Sequence, residues 1–314
     1  MKNMLVIIGL LIQSGLANAQ PSTSNIWLFS LSYQDDTPRI EQARKITDNN
    51  GYSNQPHFLP DGQSLYFTQE MGTGENAQMD SFEYRILPQQ HTNLTQSKTS
   101  EYSPTPLPMS DGFSVIKVDE GGKQWLWAHT QNKELVGKLI EAEPVGYHVW
   151  TSKDTVLAFI LGEPHTLQSL TLSGHQHVID EHVGASLWPI PGTDMFSYTK
   201  NPAPKSQPWT LMAFDKDAEH SIVLATMPGN NQYMAWTKDA KALVVEGTTI
   251  LSWSLAPTNG DGEERGKPET QRMTNVDEAD RWQPWLDISE QCPEGATRLH
   301  LGKNDAYLAL VCNE

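Results

Sequence analysis

Bulky apolar residues recur along this chain in short alternating runs separated by polar turns, and the runs themselves return at a long, nearly regular interval. The clearest unit is Tyr52-Ser53-Asn54-Gln55-Pro56-His57-Phe58, a turn at Leu59-Pro60-Asp61-Gly62, and then Ser64-Leu65-Tyr66-Phe67. Period-two alternation predicts strands, and Asp-Gly supplies the positive φ of a tight hairpin turn. Fifty residues later Tyr102-Ser103, Pro106, Asp111-Gly112 and Ser114 fall in the same register. Weaker copies keep the spacing of large residues. Phe58 precedes Leu65 and Phe67 by seven and nine positions, as Trp150 precedes Leu157 and Phe159 and Trp236 precedes Leu243 and Val245. Trp188 and Met195 keep the first interval, and a last copy opens at Trp282-Gln283-Pro284-Trp285. Anchors at Phe58, Pro108, Trp150, Trp188, Trp236 and Trp285 define six units, 38 to 50 residues apart.

Each unit carries a second pair of runs. Phe82–Leu87 leads to 93–95, Trp125–Ala128 to Val136–Ile140, Leu167–Leu172 to His177–Ile179, and Trp209–Phe214 to Ile222–Leu224. Ile250–Leu255 leads across a polar insertion, with acidic residues at 261–264, to Arg272–Thr274. Four strands in roughly 45 residues is the size of one propeller blade. At the N-terminal end, Asn25–Leu31 and Lys45–Thr47 read as the third and fourth strands of a blade whose first two are missing. At the C-terminal end, Trp282–Leu286 and Tyr307–Val311 supply a first and second strand. The prediction is an all-β, six-bladed β-propeller of four-stranded blades. Its last blade is a composite of both chain ends, which closes the ring and removes sheet edges.

The N-terminus reads as an address. Met1-Lys2 is a short positive start, Met4–Ile12 is unbroken apolar sequence, and Ala17-Asn18-Ala19 is a small-x-small cleavage pattern. A signal peptide over 1–19 is expected, leaving one propeller domain over 20–314. No second apolar stretch is long enough to span a bilayer, so a periplasmic, soluble mature chain without a membrane span is expected. Composition agrees with a turn-rich β protein: 38% hydrophobic, 19% charged, 22 Gly and 20 Pro in 314 residues. The formal charge of −16 argues against nucleic acid and anionic membrane surfaces as partners. Export puts Cys292 and Cys312, the two cysteines, in an oxidising compartment, where one disulfide is expected; two buried thiols are the alternative. Asn93-Leu94-Thr95 fits a glycosylation pattern and also reads as a strand end.

Residues 25–67, running Asn25-Ile26-Trp27-Leu28-Phe29 through Lys45-Ile46-Thr47 to Pro60-Asp61-Gly62 and Leu65-Tyr66-Phe67, resemble the WD40-like repeat of TolB-type six-bladed propellers. Residues 81–117 follow that pattern moderately, and 147–255 follow it by spacing. The resemblance implies an envelope protein that presents its propeller to other proteins. The chain departs from it in two ways. Pro-Asp-Gly stands intact only at Pro60-Asp61-Gly62, and strand signals begin too early to admit the α/β domain that precedes the propeller in TolB. The latter puts the Tol–Pal scaffolding role in doubt.

Chemistry motifs are sparse. The sequence holds no Gly-x-Ser-x-Gly, His-Glu-x-x-His, P-loop or GxGxxG. No catalytic residue is assigned, and no cofactor is expected. His175, His177 and His182 sit close enough in sequence for a metal, but a solvated rim hairpin is the plainer reading. Tyr52, His57, Tyr102, Tyr147, His148, Tyr233 and Trp282 lie on or near the segments entering the innermost strands, where a propeller opens its funnel. They are the candidate ligand or partner residues. The expected function is a monomeric, non-catalytic interaction module for periplasmic or envelope proteins. The alternative is a binding protein for a small molecule or glycan, with a metal-dependent enzyme behind both.

Overall fold

The computed structural model describes residues 23–314 except 74–75, 109, 131, 133, 204–206 and 255–281. The expected signal peptide, the acidic insertion and the strand expected at Arg272–Thr274 therefore lie outside the described residues. The described residues form no α-helix, and none of their helices is long and apolar enough to cross a membrane.

Six four-stranded antiparallel sheets make the ring. Blade one runs outward from β3 (Ser53–Phe58) through β4 (Ser64–Met71) and β5 (Gln78–Arg85) to β6 (Gln90–Asn93). Blade two comprises β7 (Glu101–Pro106), β8 (Phe113–Val118), β9 (Gln124–His129) and β10 (Leu135–Lys138). Blade three comprises β11 (Val145–Trp150), β12 (Thr155–Ile160), β13 (Thr166–Thr171) and β14 (Gln176–Glu181). Blade four comprises β15 (Val183–Pro189), β16 (Met195–Lys200), β17 (Thr210–Asp215) and β18 (His220–Thr226). Blade five comprises β19 (Ala235–Trp236), β20 (Lys241–Glu246), β21 (Thr249–Ser254) and β22 (Gln283–Asp287). The sixth blade is the composite, with β1 (Ser24–Gln34) and β2 (Thr37–Lys45) outside β23 (Ala296–Leu301) and β24 (Tyr307–Asn313). β1 pairs with β24 from Ser24↔Asn313 to Ser30↔Tyr307, so backbone hydrogen bonds join the two ends of the chain.

Middle strands are apolar on both faces because each sheet is covered by its neighbours. β20, β24 and β12 are buried along most of their length. Outer strands are more exposed, as in Gln176-His177-Val178 of β14. One inter-blade contact repeats: Trp150 Nε1 donates to Ser114 Oγ (3.0 Å) and Trp236 Nε1 to Ser197 Oγ (2.8 Å). Each indole ends an inner strand and reaches the second strand of the preceding blade. A disulfide joins Cys292, just before β23, to Cys312 in β24, with Cα atoms 5.3 Å apart. Asn93 ends β6, its amide bonded to Asp80 (2.6 Å).

Three expectations are corrected. Trp282–Leu286 is not the first strand of the last blade. β22 is the outermost strand of blade five, and the inner strand is Ala296–Leu301. An outer strand accommodates Pro284, which has no N–H for a second ladder, while Trp285 and Leu286 bury against Phe29 and Leu299 of the composite blade. The fourth strand of that blade covers 37–45 rather than starting at Lys45. Blades one and two are related by a shift of 48 rather than fifty. Leu59 N bonds Ser64 O, and Leu107 N bonds Gly112 O, closing the same turn. Gly62 therefore carries the positive φ of its turn (71°), whereas Gly112 stands immediately before β8.

Candidate functional site

The inner strands converge on a funnel with a cavity of about 730 Å³. Its mouth lies at the hairpin turns that end those strands, around Pro60, Pro108, Pro191, Lys238 and Asn304. The turn bonds fix which inner-strand residues are equivalent: Leu59, Leu107, Thr151, Ile190, Thr237 and Gly302 each donate across the first hairpin of a blade. Four positions before each stand Gln55, Ser103, Tyr147, Ser186, Tyr233 and Arg298, which form the floor. Two positions before stand His57, Thr105, Val149, Trp188, Ala235 and His300, the tier above.

Strand irregularity aims the floor residues. Gln55 and Ser103 have φ of 58° and 52° ahead of Pro56 and Pro104, and both sit at register shifts in their pairing. Such bulges re-aim side chains. The Ser103 N–H donates to Gln55 Oε1 (3.0 Å), and Gln55 Nε2 donates to Tyr147 Oη (3.3 Å). From the composite blade Arg298 Nη2 donates to the same phenol oxygen. The guanidinium lies 4.8 Å from the Tyr147 ring centroid and 3.8 Å from that of Tyr233. Arg298 is 9% exposed, and among the described residues its Nε has no hydrogen-bond partner and no carboxylate forms an ion pair with it.

Above the floor, Trp188 of blade four crosses the axis and stacks on His300 (4.4 Å, 20°), with His57 5.5 Å away. His300 Nδ1 accepts from the Phe58 N–H (2.9 Å), which leaves Nε2 to carry the proton of the neutral ring. His148 Nε2 lies 2.7 Å from Ser114 Oγ. Burial holds all three imidazoles neutral: His57 falls to about 4, His148 to about 3 with His57 adding to it, and His300 well below its ordinary value. At the mouth Asp305 is buried, and its carboxylate accepts from the Lys238 N–H (3.0 Å to each oxygen). The Lys238 Nζ pairs with Asp239 (2.6 Å), and Lys303 is exposed.

Of the sequence candidates, His57, Tyr147, His148 and Tyr233 line the cavity. Tyr52 and Tyr102 do not. Tyr52 lies behind the floor, close to Tyr147, Arg298 and Tyr233, and burial pushes its phenol well above the ordinary value. Tyr102 packs in the core between blades two and three. Trp282 is displaced from the funnel altogether: it precedes β22 on the outer side of blade five and donates to Thr226 O (2.8 Å). It was drawn into the candidate set by the misassigned strand. His177 lies on the outermost strand β14, with His175 in the turn before it and His182 just after, all exposed. Among the described residues no group of three or more His, Cys, Asp or Glu is placed to hold a metal. Sequence reading missed Arg298, His300 and Trp188. The signal for the first two was present in Thr297-Arg298-Leu299-His300-Leu301, where two polar side chains alternate with leucines.

The geometry has known counterparts. A protein assigned as TolB from Agrobacterium tumefaciens superposes with a TM-score of 0.63 at 9% identity, over 92% of this chain and 97% of that one. TolB from Acinetobacter baumannii superposes with a TM-score of 0.54 at 9% identity, over 73% of this chain and 60% of that one. The chain has the TolB-type six-bladed propeller fold. No protein-family profile matches it, and no curated protein matches it in sequence. At 9% identity the likeness extends to the fold and not to individual side chains.

Proposed function

We propose that this chain is an exported, non-catalytic recognition module, and that it receives a segment of an envelope protein in its funnel. The observation that carries the reading is the lining. Pro56, Pro104, Pro106, Trp150, Trp188 and Trp236 form apolar walls above a polar floor, in a cavity of about 730 Å³. Rigid apolar and aromatic walls with a few placed polar groups are what a binding pocket needs. Aromatic anchors bind at small entropic cost because few torsions are left to freeze. The floor groups form no nucleophile–base pair. The three imidazoles are spent on backbone, serine and ring contacts, an arrangement suited to holding a ligand. The TolB-type fold and the Cys292–Cys312 bridge support the envelope setting.

Affinity capture from the native envelope with the full mature chain tests the reading. Trp188→Ala, checked for an intact melting transition, is expected to weaken a captured partner at least tenfold, the size of an interface hot spot. Val136→Arg, on the exposed outer rim, is expected to leave it unchanged. A partner retained by Trp188→Ala and lost by Val136→Arg would move the interface off the funnel. No protein partner, together with a metabolite that raises the melting temperature, would make the pocket a small-molecule site.

A further inference from the structure

We infer that the funnel floor is a carboxylate subsite built on Arg298, so that the ligand is recognised by an acidic group delivered to the bottom of the pocket. This deepens the proposed binding role of the funnel and rests on it.

A guanidinium is charged at every pH a protein meets. Taking it out of water without a counter-ion is costly, and buried arginines are ordinarily paired for that reason. Arg298 is nine-tenths buried, yet its partners among the described residues are the neutral phenols of Tyr147 and Tyr233, by hydrogen bond and by ring face. Cation–π contacts return part of the lost hydration, but they neutralise nothing. The Nε–H donor is unmet.

The surroundings favour the same ligand chemistry. His57, His148 and His300 are neutral, so they add no competing charge above the floor. The carboxylate at the mouth, Asp305, is occupied by the Lys238 backbone. In a chain of net charge −16, the interior of the funnel is thus a positive spot at the end of an apolar passage. The planar fork of arginine matches a carboxylate in two-point contact. Gln55 and the tyrosine cage hold that fork in place before any ligand arrives.

Four small probes test the subsite by calorimetry and thermal shift on the purified mature protein. N-acetyltryptophan presents a terminal carboxylate behind an indole. N-acetyltryptophanamide is its neutral counterpart, N-acetylglutamyl-tryptophanamide carries the acid on a side chain, and inorganic phosphate is a different anion. At least one carboxylate probe is expected to bind tenfold or more tightly than the neutral amide. Arg298→Met is expected to bring that ratio to about one. Which acid binds better assigns a chain terminus or an acidic side chain as the source. Equal binding of acid and amide to the wild type overturns the subsite and leaves the funnel a plain apolar pocket. Phosphate binding in preference to both acids overturns the carboxylate assignment, and so does the absence of any anion effect. Should Arg298→Met fail to fold, the wild-type ratio still decides.

Discussion

Arg298 and the three funnel histidines show how one strand position determines chemistry. Tyr147 and Tyr233 occupy the same floor position as Arg298, and the ring brings their side chains together although they are 65 to 151 positions apart in sequence. Tyr147, His148 and Tyr233 were legible because aromatic residues near the start of an inner strand stand out in a repeat. Arg298 was not, because the inner strand was expected at Trp282–Leu286 instead of Ala296–Leu301, although the alternation of Arg298 and His300 with leucines was there to read. The histidines set an acid response. His57 and His148 have folded pKa values lowered to about 4 and about 3, so the unfolded chain binds more protons below its ordinary value near 6.5. Their contribution to stability is fully present above about pH 6.5 and is lost as pH falls toward those folded values. The melting temperature is expected to be flat above pH 7 and to fall between about pH 6 and 4. His148→Gln should make that fall shallower, and an unchanged pH profile would show that the ring is not buried neutral.

Among the elements, inner and middle strands were readable because they carry large apolar residues at fixed intervals. Outer strands were read at β10, β14 and β18 and misread at β2 and β22. β22 mimicked an inner strand because Trp285 and Leu286 bury sideways against the next blade. The two-residue slip between blades one and two had a similar origin: Asp111-Gly112 imitates Asp61-Gly62 without occupying its turn. The indole-to-serine bonds between blades give an element-scale prediction. Trp236→Phe keeps most of the buried area but removes the indole donor to Ser197 Oγ, and it should cost about 1 kcal/mol. Trp236→Ala also opens a cavity and should cost about 3–5 kcal/mol. Chemical denaturation distinguishes the two, and a Trp236→Phe variant as stable as the parent would mean that the hydrogen bond contributes nothing. The bridge between Cys292 and Cys312, 20 positions apart, ties the composite blade to itself. Replacing both with serine should lower stability by about 3 kcal/mol on the chain-entropy account.

For the whole molecule, the ring and its composite blade were legible from the missing half-blade at each end, and pairing of β1 with β24 completes them. Deleting residues 20–47 exposes the β24 edge and is expected to abolish cooperative, monomeric folding, read by gel filtration and thermal melting. A truncated chain that melts like the parent would contradict ring closure through these strands. The functional claim is that recognition happens in the funnel and at its mouth. Site-specific photo-crosslinking in the native envelope tests it most directly, with a benzophenone side chain placed at Pro191 or Lys303 on the mouth, or at Leu87, 81% exposed on the periphery of blade one. A discrete protein adduct is expected from the two mouth positions and none from Leu87. An adduct from Leu87 with none from the mouth would contradict it.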